Sequence, residues 1–130
     1  MQPQPLIAVR DVPTSSRWYQ SVLDCESGHG GSEYEQLICQ GKLIMQLHHW
    51  DAHEHPHLGK ESSTPYGNGV VLWFQTEDIE VAEKRAKGLS ATFLEEMKVN
   101  LNAQHREFWL QDPDGYVVVI AGPYGDLNAT

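Results

Sequence analysis

The chain has 130 residues, with 18 acidic and 9 basic side chains and a formal net charge of −9. This length suits a single domain, residues 1–130, with a core of its own. The acidic balance disfavours nucleic acid and anionic membranes as partners, because both require clustered positive charge, and no apolar run is long enough to cross a membrane.

The first half of the chain reads as one strand, one helix and a hairpin. Residues 6–9 are apolar and predict a strand, after which Thr14 or Ser15 is expected to cap a helix. The stretch "SGHGGS" is typical of a turn. The segments "EYEQLICQ" and "KLIMQLHHW" predict two strands joined at Gly41. A polar loop, 51–68, follows and is expected to connect the two halves.

The second half repeats this order. The segment "GVVLWFQ" predicts a strand and "DIEVAEKRAKG" a helix, with Asp78 as the N-cap. "HREFWLQ" and "YVVVIAG" predict a hairpin around the turn "DPDG". Residues 91–94 suggest a further strand, and the tail after Gly122 is expected to fray. The sequence thus predicts an α+β protein built from two βαβββ repeats, residues 5–60 and 68–122.

Three stretches carry a family resemblance: "VRDVPTSSRWYQSVLD", "VLWFQTEDIEVAEKRAKG" and "HREFWLQDPDGYVVVIAG". Together they resemble the vicinal oxygen chelate superfamily, which includes glyoxalases, bleomycin-resistance proteins and extradiol dioxygenases. The resemblance implies incurved mixed sheets around a small-molecule cavity, often completed by a second subunit. It does not by itself settle the function, because this scaffold hosts several chemistries.

Metal-dependent members of that superfamily carry His or Gln and Glu in the first repeat, and His and Glu in the second. The corresponding positions here are Gln4, Gln46, Val71 (or Leu72) and Val119. The hairpin leaves one residue of doubt at Gln46, with His48 next on the same face. Valine has no lone pair to donate, so we expect no metal at these positions and no cofactor; a divalent metal is the less favoured alternative.

The segment "HHWDAHEHPHLG" offers a second place for a metal. In an extended segment His53, His55 and His57 would share one face, and they suit adventitious zinc or nickel binding. The pattern His55, His57, Glu61 also fits half of a cupin motif. Pro56 between the two ligands and the two predicted helices both argue against a cupin jelly roll. The interpretation we prefer is a pH-sensitive rim of a cavity.

Aromatic and polar residues on the predicted strands suit an apolar ligand pocket with a few polar groups. The predicted ligand-binding residues are Gln46, His48, Trp50, Trp73, Phe108 and Trp109. Glu107 is the catalytic candidate, as a proton acceptor; the alternative is a structural role facing water or paired with Arg106.

The cysteines bear on the compartment. Cys25 and Cys39 have no CxxC spacing, and the N-terminus lacks the features of a signal peptide. We therefore expect two reduced thiols in a cytoplasmic protein.

The functional hypothesis is a metal-free, small-molecule-binding homodimer that resembles the bleomycin-resistance branch and sequesters its ligand. The negative net charge favours a cationic ligand. The alternative is a glyoxalase-like, metal-dependent lyase or isomerase that uses Gln46, His48 and loop histidines as ligands.

Overall fold

A computed structural model describes residues 1–51 and 54–128 and divides the chain into two compact units, Met1–Tyr66 and Gly67–Thr130. His53 lies outside the described residues. In the first unit the elements are β1 (Leu6–Val9), α1 (Val12–Leu23), β2 (Glu26–Ser27), β3 (Tyr34–Cys39) and β4 (Lys42–His49), followed by a short 3-10 helix, Pro56–Leu58. The sheet order is β1-β4-β3-β2, with β1 and β4 parallel.

The second unit has the same topology. Its elements are β5 (Leu72–Gln75), α2 (Ile79–Gly88), β6 (Thr92–Asn100), β7 (His105–Gln111) and β8 (Val117–Ala121). The sheet order is β5-β8-β7-β6, and β5 runs parallel to β8. Each unit is therefore a βαβββ repeat with a mixed sheet, which confirms the α+β fold class and the duplication predicted from the sequence.

Aspartates begin both helices. Asp78 Oδ1 accepts from the Val81 N–H at 3.1 Å, as predicted for α2. The predicted cap of α1 is wrong: Asp11 Oδ1 accepts from the Thr14 N–H at 3.0 Å, and the helix starts at Val12. Pro13 fits inside the first turn of α1. The N–H that proline lacks has no helical partner there.

The core of the first unit lies between α1 and one face of its sheet. Leu37, Met45 and Leu47 are fully buried and alternate along β3 and β4, while Tyr19 and Val22 come from the helix. Because side chains of a strand alternate between faces, the residues between them point away from α1. We call this second surface of each sheet its far face.

One buried carboxylate ties α1 to the first sheet. Glu35 is 3% exposed, and its Oε2 accepts from the hydroxyls of Ser16 and Ser27 at 2.7 Å each. Its Oε1 accepts the backbone N–H groups of His29, Gly30 and Gln36 at 2.8 to 3.1 Å. Burial alone would raise the pKa of Glu35, but these hydrogen bonds outweigh it and lower the pKa to about 2.

Several element boundaries differ from the prediction. The pair Glu26–Ser27 forms β2 at the start of what the sequence indicated as a turn, and the strand predicted from residue 69 begins at Leu72. The strand suggested by residues 91–94 starts at Thr92 and extends to Asn100 as β6. Expected fraying after Gly122 is wrong for the described tail, because Leu127 N–H donates to the Gln104 carbonyl at 2.9 Å.

Two further observations concern the environment of the chain. Within residues 1–51 and 54–128, no helix has the length and apolar character that crossing a bilayer requires. Cys25 and Cys39 are both free thiols. Burial, followed by the nearby Cys39, raises the pKa of Cys25 to about 12, so its thiol stays protonated.

Candidate functional site

The predicted polar residues of the first repeat lie on the far face of its sheet. Gln36 pairs with Gln46, and Tyr34 pairs with His48, across the β3–β4 ladder. Tyr34 Oη donates to Gln46 Oε1 at 2.5 Å, and Gln46 Nε2 donates to the Gln4 carbonyl at 2.9 Å. Both ends of the Gln46 amide are therefore engaged by the protein itself.

The two parallel ladders show which positions of the repeats correspond. Leu6 pairs with Gln46 in the first sheet, and Trp73 pairs with Val119 in the second. Leu6 and Trp73 each lie five residues before the aspartate that caps the helix of their repeat. Gln46 and Val119 are thus equivalent, so the ladder selects Gln46 over His48 as the family position in β4.

The four family positions do not fit a divalent metal. Val119 is fully buried and Val71 is 41% exposed, and neither side chain has a lone pair. Gln4 is exposed, and the one amide oxygen of Gln46 already accepts from Tyr34. Because the set contains no carboxylate to balance a divalent charge, these four positions offer too few donors of the right kind.

The far face of the second sheet gathers aromatic rings around buried polar groups. Trp73 and Trp109 meet edge to face with their ring centroids 6.4 Å apart, and both pair with Val119 across the ladders. His105 lies beside Trp73, with 5.8 Å between the ring centroids. Glu107 is on the same strand between His105 and Trp109, so these side chains share one surface.

Glu107 is the centre of this group. It is 1% exposed, and it accepts from His105 Nε2 at 2.8 Å, Asn100 Nδ2 at 2.8 Å and Trp109 Nε1 at 2.6 Å. Burial by itself would raise the pKa of Glu107, but these three hydrogen bonds lower it below the ordinary value. The carboxylate therefore stays ionised. This favours a role in holding its three hydrogen-bond partners in place over a role as a proton acceptor.

The two structural alternatives for Glu107 drawn from the sequence are both wrong. The side chain does not face water, and it is not the partner of Arg106, whose guanidinium Nη1 donates to Glu80 at 3.0 Å. Neighbouring residues of a strand point to opposite faces, so Arg106 and Glu107 cannot share a side of β7.

His105 has one nitrogen left over. Its Nε2 lies against an ionised carboxylate, which can only accept, so the proton of a neutral imidazole is on Nε2 and Nδ1 carries the lone pair. His105 is 3% exposed, and within the described part of the chain its Nδ1 has no hydrogen-bond partner. A buried polar atom without a partner is costly and rare, which makes this nitrogen a candidate for contact with a ligand.

Three other predicted residues make different contacts. Phe108 is fully buried on the α2 side of its sheet, stacked on Phe93 at 5.5 Å, so it does not share the face of Trp109. Trp50 follows the end of β4 and packs against Tyr66 at 4.9 Å. The His48 ring lies 4.4 Å from the ring of His55, in the loop after β4.

His105 was not among the predicted site residues, because the prediction concentrated on clustered histidines and five of the seven lie in residues 48–57. The signal was the alternation His105-x-Glu107-x-Trp109 within a predicted strand. Side chains at every second position of a strand lie on one face of the sheet, so these three polar or amphipathic residues share a face. A face that is open to water rarely carries tryptophan, and Trp109 was therefore part of the signal.

The family model for the Glyoxalase/Bleomycin resistance protein/Dioxygenase superfamily matches residues 2–120. Solved structures share the fold at low identity. A family enzyme from Burkholderia phytofirmans is 20% identical with a TM-score of 0.74, covering 92% of this chain and 95% of its own. A family protein from Alicyclobacillus acidocaldarius is 17% identical with a TM-score of 0.70, covering 97% and 92%.

A third structure, a genomically encoded fosfomycin resistance protein from Listeria monocytogenes, is 15% identical with a TM-score of 0.68, and the alignment covers 94% of this chain and 92% of that one. No curated protein sequence is significantly similar to this chain. At these identities the solved structures establish only the fold of this chain. Its chemistry has to be inferred from its own residues on each sheet.

Proposed function

Because the chain belongs to the Glyoxalase/Bleomycin resistance protein/Dioxygenase superfamily, we propose that it binds a small organic molecule on the far face of its second sheet, without a metal ion. The observation that carries this proposal is the buried Nδ1 of His105, which has no partner among the described residues. A ligand that donates an N–H or O–H to this nitrogen would satisfy it.

The surroundings of His105 suggest the kind of molecule. Trp73 is 47% exposed beside the imidazole and offers a ring on which an apolar or aromatic group can pack. Glu107 gives the hydrogen-bonded network on this face an ionised, negatively charged centre. An uncharged or cationic ligand with a donor group therefore fits better than an anion.

The test uses tag-free protein and two probes, metal-free bleomycin as a cationic glycopeptide and fosfomycin as a small anion. A ligand that binds only the folded state raises the melting temperature. We expect bleomycin to raise it more than fosfomycin does. Calorimetry then gives the dissociation constant for the probe that binds.

The decisive variant is His105→Gln, with His57→Ala as the matched control. His57 is exposed on the 3-10 helix of the first unit. Loss of one buried hydrogen bond should weaken binding about 10- to 100-fold, whereas His57→Ala should leave it unchanged. If His105→Gln unfolds, Glu107→Gln replaces it in the binding test, because glutamine keeps the shape of the Glu107 side chain and removes its charge. Equal affinity in all variants would contradict the proposal.

A second candidate is an enzyme that abstracts a proton from its substrate. The pairing of a histidine with an ionised carboxylate favours it, because Glu107 would stabilise the imidazolium formed when Nδ1 of His105 accepts a proton. Sequestration predicts that the bound probe is recovered unchanged by mass spectrometry. Conversion of the probe, lost in His105→Gln, would instead support the enzyme. A metal-dependent lyase finds no support in the donors at the family positions.

We also propose that the protein acts as a homodimer. In the second sheet β6 is an edge strand of nine residues, and it carries the exposed apolar side chains of Leu94 and Val99. A long edge of this kind invites pairing with another chain. Light scattering on the native protein should give twice the chain mass, and Val99→Lys should shift it towards the monomer. A monomer at all concentrations would contradict this assembly.

A further inference from the structure

The loop after β4 gathers nitrogen and oxygen donors that belong to neither far face. The ligand atoms of Asp51, Glu54 and His55 all lie within 4.8 Å of one another. Asp51 Oδ2 is 3.8 Å from His49 Nε2 and 3.9 Å from His55 Nδ1. Two imidazole nitrogens therefore converge on one carboxylate oxygen.

These distances suit a bridging cation better than hydrogen bonds. At 3.8 and 3.9 Å the nitrogens are beyond hydrogen-bonding range of the oxygen. Donors around a tetrahedral Zn²⁺ with bonds of about 2.0–2.2 Å lie roughly 3.3 Å apart. Each imidazole would need to approach the Asp51 carboxylate by about half an ångström, and the ligand atoms of Asp51, Glu54 and His55, which lie within 4.8 Å of one another, would need to close by up to about 1.5 Å. Rotation of the side chains supplies movements of that size.

The donors are held in place by the backbone. Asp51 Oδ1 accepts from the Glu54 N–H at 3.0 Å, and the Asp51 carbonyl accepts from the His55 N–H at 2.8 Å. His49 is the last residue of β4, and its N–H donates to the Glu33 carbonyl at 2.9 Å. One ligand is thus fixed in the sheet and the other three in a hydrogen-bonded turn.

We propose that His49, Asp51, Glu54 and His55 bind one divalent transition-metal ion of the Zn²⁺ class. Two imidazoles and two carboxylates balance the charge of such an ion and match its preference for nitrogen and oxygen ligands. None of these residues occupies a family metal position. The ion would link the loop to the end of β4 through His49.

The test is a titration of the metal-free, tag-free protein with Zn²⁺ in competition with a chromophoric chelator. We expect one equivalent of Zn²⁺ per chain. His55→Ala and Asp51→Ala should each weaken binding at least about tenfold, since a ligand is removed. The control His57→Ala removes a histidine two residues further on and should bind as the native protein does.

Folding is monitored separately by circular dichroism. Because Asp51 is partly buried, Asp51→Asn replaces Asp51→Ala if the latter loses structure. No bound Zn²⁺, or the same loss of affinity in His57→Ala as in His55→Ala, would overturn the site. The titration does not depend on the proposed function: His105→Gln should keep its Zn²⁺, and failure of either experiment leaves the other readable.

Discussion

Replacing Glu35 by glutamine should remove a pH-dependent part of the stability of the first unit. The pKa of this carboxylate falls from an ordinary 4.5 to about 2 in the folded chain. A lowered folded pKa means that the contribution is present above about pH 4.5 and is lost as the pH falls towards 2. The difference corresponds to roughly 3 kcal/mol at neutral pH, because a glutamine side chain keeps the shape of the carboxyl group but resembles its protonated form.

The assay is urea unfolding of the native protein and Glu35→Gln at several pH values. The difference in unfolding free energy should shrink from roughly 3 kcal/mol at neutral pH to about 1.4 kcal/mol near pH 3. Glu33→Gln changes an exposed neighbour and should stay within about 0.5 kcal/mol of the native protein. A difference for Glu35→Gln that is the same at every pH would refute the reasoning, since it could not arise from ionisation.

Three further outcomes follow from local packing. Gly28→Ala should lower the free energy of unfolding by about 1–3 kcal/mol, because a Cβ there would lie 2.5 Å from Ile38 Cγ1. An unchanged free energy in chemical denaturation would contradict this and would mean that Ile38 moves aside. Asp78→Ala should cost about 1 kcal/mol through loss of the α2 N-cap, and an unchanged melting temperature would contradict this. In the native state a thiol reagent near pH 8 should modify Cys39 and spare Cys25 until the chain unfolds; equal rates would count against the burial of Cys25.

Much of the fold could be predicted because its signals are local. The hairpin at Gly41 and the helix 79–88 combine turn residues, caps and periodicity within a few positions, and both are confirmed. The strand β2 has only two residues, which is too short for alternation to appear. The strand β6 is mostly exposed on both faces, so its sequence shows little hydrophobic contrast although it has nine residues.

The site was harder to predict because it depends on pairing across strands. Trp73 and Trp109 were named from composition, but their contact exists only because β5 and β7 flank β8. Against the effect of burial, the pKa of Glu107 is lowered by hydrogen bonds from Trp109, from Asn100, which reaches it from β6, and from His105. No spacing within a single segment encodes a hydrogen bond between two strands, so burial and partners had to come from the structure.

The strand β7 joins two environments through one backbone. Its odd-numbered side chains from His105 to Trp109 form the polar network, and Phe108, on the other face of the strand, is buried and stacks on Phe93. A change of side-chain volume at Phe108 therefore displaces the strand that carries His105. Affinity for the ligand that we propose for the far face should respond to substitutions at Phe108, although this side chain lies on the opposite face of the strand. Variation in the core could in this way tune the proposed binding without any change to the residues of the far face.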